Sequence, residues 1–238
     1  MKVNRLVRYV ILAVLLLPGC MEPAGQERYD AEHDGMYDGG VAVDLSHSGD
    51  ISGLGQETGP SLTSCGEPGE EVHRNNLSQM EGCERSYFKI ILNGFLASSL
   101  PELRSLVRSE DILHVIRIYE LTDLTDLSRL EFVGADLMIR FMPDLPTLHG
   151  LESLRIVKGQ IFLTGLGISD LSPLSSLTSV GGLYISLIHL ESMEGLTSLE
   201  RIDGDLYVAA EGVSREELDQ FLERVEVTGA ITYNGQDL

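Results

Sequence analysis

Residues able to do chemistry are sparse in this chain of 238 residues: six histidines, three cysteines and no tryptophan, against 37 carboxylates. His114, His149 and His189 fall at unrelated places in the pattern described below. Each therefore reads as a surface or packing histidine rather than a metal ligand. There is no Gly-x-Ser-x-Gly, no phosphate-binding loop, no His-Glu-x-x-His and no metal-spaced cysteine pair, so neither an enzyme nor a cofactor is expected. Residues 30–38 alternate acids around a glycine as calcium loops do, but Val41 stands where the twelfth-position bidentate Glu belongs; a solvated acidic run is the better reading. Cys65 and Cys83 remain as an even pair once Cys20 is set aside for the role argued below. In an oxidising compartment they are expected to bridge, closing a loop worth about 3 kcal/mol by chain entropy; two free thiols are the alternative.

Charge removes further classes. Lys plus Arg number 17, and the net charge is −20. Such a chain is repelled by nucleic acid and by anionic lipid.

The elements that would have to position any site repeat along the chain. Triplets with apolar first and third residues begin at Phe88, Leu113, Leu137, Ile161, Leu183, Leu206 and Ile231, a spacing of 22–25 residues. Each reads as a short strand. Before four of them leucines recur every third residue: Leu100, Leu103, Leu106; Leu124, Leu127, Leu130; Leu148, Leu151, Leu154; and Met193, Leu196, Leu199. Leu171, Leu174 and Leu177 do the same with one residue fewer before Leu183. A step of three drifts around an α-helix and misses the two-residue period of a strand, but suits 3₁₀ or polyproline-like backbone. Each repeat is thus a strand and a return path that cannot bury its apolar residues alone, and stacked neighbours bury them in one core. Gly134, Gly159, Gly181, Gly204 and Gly229 recur just ahead of the strands. Acids between the ladder leucines, such as Asp123, Asp126 and Asp170, are expected to form a solvated outer face. Ser214 with Glu217, followed by Leu218, Phe221, Leu222 and Val225, predicts an α-helix over 214–225 that caps the array.

The middle residue of each triplet points away from the core. That outward column runs Lys89, His114, Met138, Phe162, Tyr184, Tyr207, Thr232. Phe162, Tyr184 and Tyr207 form an aromatic strip on an acidic protein, and with Met138 and His114 they are the candidate partner-binding residues. The competing expectation is that stacked aromatics only stabilise adjacent strands.

The N-terminus carries a different signal. MKVNRLVR is basic, YVILAVLLL is a nine-residue apolar run too short to span a bilayer, and Leu17-Pro18-Gly19-Cys20 follows. These residues resemble a bacterial lipoprotein signal with its lipobox, which implies that residues 1–19 are removed and Cys20 is lipidated. Residues 20–82, rich in Gly, Ser, Asp and Glu, read as a disordered acidic tether. Met21 rather than Asp after the cysteine points to the outer membrane.

Residues 150–185, GLESLRIVKGQIFLTGLGISDLSPLSSLTSVGGLYI, resemble the receptor L domain, the leucine-rich solenoid of growth-factor receptor ectodomains. The resemblance extends over about residues 83–233 and implies a leucine-rich-repeat-like β-solenoid over 83–238, with a parallel sheet of about seven short strands. It also implies a protein ligand. The resulting expectation is a lipid-anchored cell-envelope binding module for a macromolecular partner, protein or glycan. A structural or adhesion protein, self-associating and without a discrete ligand, is the alternative.

Overall fold

The computed structural model describes residues 61–238; Cys20, the signal segment and the acidic run at 30–38 lie outside them. Among the described residues fifteen strands join in one sheet. All of its pairings are parallel except the last. Helix is limited to short 3₁₀ segments and one α-helix, Arg215–Arg224, and no helix is long and apolar enough to cross a membrane among these residues.

Two ladders run through the sheet. The main one pairs Glu71–Val72, Lys89–Leu96, Leu113–Tyr119, Leu137–Met142, Ile156–Leu166, Ser179–Ser186, Leu206–Ala209 and Ile231–Tyr233, each with the next. A shorter ladder, a few residues ahead in each repeat, runs from Ser64–Cys65 through Arg85–Ser86, Arg108–Ser109 and Phe132–Val133. It continues through the first residues of Ile156–Leu166 and Ser179–Ser186 to Arg201–Ile202 and Glu226–Val227. The repeat ending at Leu183 has one residue fewer, and the register shifts between Val180 and Gly182 to absorb it.

Two sequence expectations need correction. Ile90, not Phe88, aligns with Leu113, so Ile91 rather than Lys89 lies beside His114 in the outward column. Residues 88, 90 and 92 are all apolar and share a parity, which leaves a two-residue slip invisible to alternation. Nor does the tether reach residue 82: Ser64–Cys65, Glu71–Val72 and the 3₁₀ segment Arg74–Met80 add a further repeat, burying Val72, Leu77 and Met80. Its three buried apolar residues are spaced 5 and 3 apart among glycines and acids. The Cys65–Cys83 disulfide joins this repeat to the next, with Cα atoms 5.9 Å apart.

The return paths resolve as 3₁₀ rather than polyproline-like. Along the leucine column each N–H donates to the carbonyl of the column residue three before it: Leu127 to Leu124 at 2.7 Å, Leu130 to Leu127 at 2.8 Å, Leu151 to Leu148 at 3.1 Å, Leu154 to Leu151 at 3.0 Å. Three residues per turn puts every third side chain on one side, and all of these leucines are buried. The acids beside them do more than meet solvent. Asp123 accepts the Thr125 N–H at 2.9 Å, and Asp170 accepts the Ser172 N–H at 2.9 Å, so each opens a 3₁₀ turn. Asp126 reaches the preceding repeat, accepting from Leu100 N at 2.6 Å and Arg104 Nε at 2.8 Å. Asp136 and Asp205 accept from Gln160 N and Ala230 N of the following repeat at 2.7 and 2.8 Å.

Glycine ahead of the strands answers to close packing, not to unusual torsion. A Cβ on Gly134, Gly181 or Gly204 would overlap the carbonyl oxygen of Glu110, Lys158 or Gly181 in the repeat before it. The array closes at its C-terminal end as the spacing predicts. Ser214 caps the helix by accepting from Glu217 N at 3.1 Å, and Leu218 and Phe221 are buried. The Glu217 carboxylate leaves the cap and instead binds Met193 N and Ser192 Oγ at 2.6 and 2.7 Å. Asn234 and Gly235, both at positive φ, then turn the chain so that Gln236–Asp237 pairs antiparallel with the last strand.

Candidate functional site

Cross-strand register brings the five candidate residues together in one column. His114 pairs with Met138, Met138 with Phe162, Phe162 with Tyr184, and Tyr184 with Tyr207. All five are half-buried. The strip is not uniform. Tyr184 and Tyr207 lie face to face, ring centroids 4.2 Å apart and planes nearly parallel, and Phe162 tilts against Tyr184 at 5.7 Å. The stack takes one face of each tyrosine and leaves the ring edges, the hydroxyls and the second face of Tyr207 to other contacts. A groove of about 200 Å³ beside them is lined by Gln160, Asp205 and Thr232 as well as the two tyrosines. Stacking therefore adds stability between neighbouring strands, as cross-strand aromatic pairs do, and leaves polar groups at its margin for recognition.

Two places further along each strand, Asn93, Ile116, Arg140, Thr164, Ser186 and Ala209 form a second outward row. Arg140 is central to it: Nε donates to Thr164 Oγ1 at 2.7 Å, and the guanidinium carbon lies 5.8 Å from the Phe162 centroid. At the C-terminal ends of the strands and just past them lies a rim that the triplet pattern did not mark. Leu96, Tyr119, Phe141 and Ile188 are 63%, 47%, 40% and 79% exposed, four of the five exposed large hydrophobics among the described residues. Leu96 and Tyr119 are direct cross-strand neighbours.

Comparison of the chain with family models, with curated proteins and with solved structures finds no match. The face itself has to carry the functional argument.

His114 has the least settled environment on that face. Its Nε2 is buried and lacks a hydrogen-bond partner. Burial holds its pKa below the ordinary 6.5, helped by the positive charge of Arg140 and opposed by Asp136 and Asp111. His149 and His189 stand apart from it. His149 Nδ1 meets Glu152 Oε1 at 2.6 Å on a return path, and His189 is exposed beyond its strand. No group of three His, Cys, Asp or Glu side chains suited to a metal ion occurs among the described residues.

Proposed function

We propose that this chain is a lipid-anchored cell-envelope binding module, a leucine-rich solenoid of the receptor L type that takes a protein partner on its outward sheet face. The observation that carries the reading is the in-register column His114–Met138–Phe162–Tyr184–Tyr207, half-buried and open on one side. Nearest-neighbour parallel pairing at a 22–25-residue period supports the solenoid, since each repeat then buries its leucines against the next. The lipobox-like LPGC at 17–20 supports the anchor, and Met21 rather than Asp after the cysteine favours the outer membrane. A protein partner is favoured over a glycan because the face continues into the exposed apolar rim of Leu96, Tyr119, Phe141 and Ile188, which suits apolar side chains.

Crosslinking on intact cells, comparing wild type with the double substitution Tyr184→Ala, Tyr207→Ala, tests the site. Loss of the crosslinked partner with the fold retained by circular dichroism supports it; undiminished capture sinks it. Metabolic labelling with a fatty-acid analogue tests the anchor, and label retained in Cys20→Ser removes it. The tyrosine stack also favours a second reading, a structural envelope protein whose aromatic column only reinforces the sheet. Sedimentation of the delipidated chain separates the two, because concentration-dependent association is the mark of the structural class.

A further inference from the structure

One register position breaks the pattern of the face. Four residues after the aligned positions Ile90, Leu113, Leu137 and Ile161, Gly94, Arg117, Phe141 and Gly165 all have left-handed backbone, with φ of 72°, 51°, 58° and 64°. The flanking pairs, Asn93–Ile116, Phe95–Ile118, Ile116–Arg140, Arg140–Thr164 and Met142–Leu166, put these four side by side on consecutive strands. Glycine adopts this conformation without steric cost, whereas an arginine or a phenylalanine is strained by it. The two strained residues sit between two glycines, so their side chains have to justify them. Strain of this kind concentrates at ligand sites.

Those side chains form one cluster. The Phe141 ring centroid lies 4.9 Å from the Arg117 guanidinium carbon and 4.8 Å from that of Arg140. Six other arginines among the described residues hold a carboxylate within 4.0 Å. Arg117 and Arg140, like Arg74, Arg155 and Arg224, hold none among the described residues, although the chain has 37 acids to 17 bases. Apart from the Arg140 Nε bond to Thr164, the guanidinium N–H groups of Arg117 and Arg140 meet no acceptor among the described residues.

We propose that Arg117 and Arg140, braced on Phe141, read a carboxylate of a partner peptide whose neighbouring apolar side chain lies on the rim of Leu96, Tyr119 and Phe141. The inference rests on the binding-module reading above and names its ligand chemistry. A planar guanidinium fork matches a carboxylate bidentately. A bare anion would leave the exposed rim unused, and a polyanion would be repelled by a chain of net charge −20. A peptide with one localised acid beside an apolar residue meets both features.

The test uses the full chain and two synthetic probes, Ac-Phe-Glu-Leu-NH2 and its neutral twin Ac-Phe-Gln-Leu-NH2, followed by NMR at the arginine Nε–H signals. The acidic peptide is expected to bind about tenfold or more tightly than the twin. Arg117→Gln with Arg140→Gln is expected to erase the preference, and Arg155→Gln with Lys158→Gln to leave it. Equal binding of both probes overturns the proposal, as does an undiminished preference in the arginine variant. Displacement of the peptide by inorganic phosphate at equal concentration also overturns it, by showing a general anion seat. Arg117→Gly controls for a merely structural role: the melting temperature should hold while the preference falls, and a marked drop in melting temperature counts against the proposal. Cell crosslinking keeps the two levels apart. A partner lost on the tyrosine substitutions but kept on the arginine ones leaves the binding face standing and removes this inference. A partner kept on both removes the binding face as well.

Discussion

The inner column of leucines and the outward column of the sheet are built on the same repeat, yet residues are chosen in them by different rules. Inside, every third residue of the return path is Leu or Met, each is buried, and each 3₁₀ turn hands its N–H to the one before. Outside, the equivalent positions run Ile91, His114, Met138, Phe162, Tyr184, Tyr207 and Thr232, with no two neighbours alike except the stacked tyrosines. Uniformity follows from a shared core, where one shape must fit between two copies of itself. Variety on the other wall is what remains when packing does not decide. The difference teaches where to look for function: among positions whose identity the repeat leaves open.

The sharpest way to break that contrast is to place a charge in the inner column. Leu151 is fully buried, and Leu151→Asp leaves an unpaired carboxylate in the core. It should cost about 4 kcal/mol or more and lower the melting temperature by roughly 10–20 °C, read by calorimetry. A shift of only a degree or two would mean that the column is not shared between repeats. Next in size is Gly181→Ala, whose Cβ overlaps the Lys158 and Gly159 carbonyls. Backbone must move, and about 1–3 kcal/mol should be lost in urea titration. Asp126→Ala strands the Leu100 N–H, so about 1–3 kcal/mol is expected; no loss would return Asp126 to the solvated surface.

On the outer wall the effects on stability shrink. Because burial holds the His114 imidazole below its ordinary 6.5, the unfolded chain takes up the proton first. The contribution of neutral His114 is full above about pH 6.5 and is lost as pH falls from there toward the folded value. His114→Leu should therefore narrow the difference in melting temperature between about pH 7.5 and about pH 5.5; an unchanged difference would remove His114 from the acid response. Smallest of all, Arg117→Gly should match or exceed Arg117→Ala in denaturant midpoint, because glycine accepts φ of 51° and alanine does not, a gap of about 1 kcal/mol.

How much of this was legible in the residues depends on whether a side chain or a backbone carried the message. Leucines at a step of three and triplets at a near-constant period marked the return paths, six of the eight strands of the main ladder in register, and the capping helix. The short ladder went unseen because its strands are two residues long, and because Ser86 and Ser109 occupy buried places that Val133, Val157 and Val180 fill in later repeats. Glycines were noticed, but their reason lay in the neighbouring repeat's carbonyls, which one repeat's sequence does not contain. The final hairpin has a signal in Asn234-Gly235 between two short extended runs, but it falls outside the repeat period. For the site, alternation supplied the aromatic column. The arginine and rim cluster depends on a left-handed residue that tips side chains off the pleat, and no period reports that.

The Cys65–Cys83 bridge spans the first rung of the short ladder, where Ser64 and Cys65 pair with Arg85 and Ser86. An array whose repeats touch only their neighbours opens from its ends, since a terminal repeat has a partner on one side alone. The opposite end already has a helix and a reversed strand to close it. With the bridge intact the N-terminal repeat cannot drift away after its backbone bonds break, so each opening is brief and recloses quickly. Amide exchange at Val72 and Leu77 should then be slow, approaching that of the middle repeats, and should accelerate selectively when reductant is added. The bond thus acts on time as much as on energy, setting how long the first repeat stays open to a protease or a solvent proton.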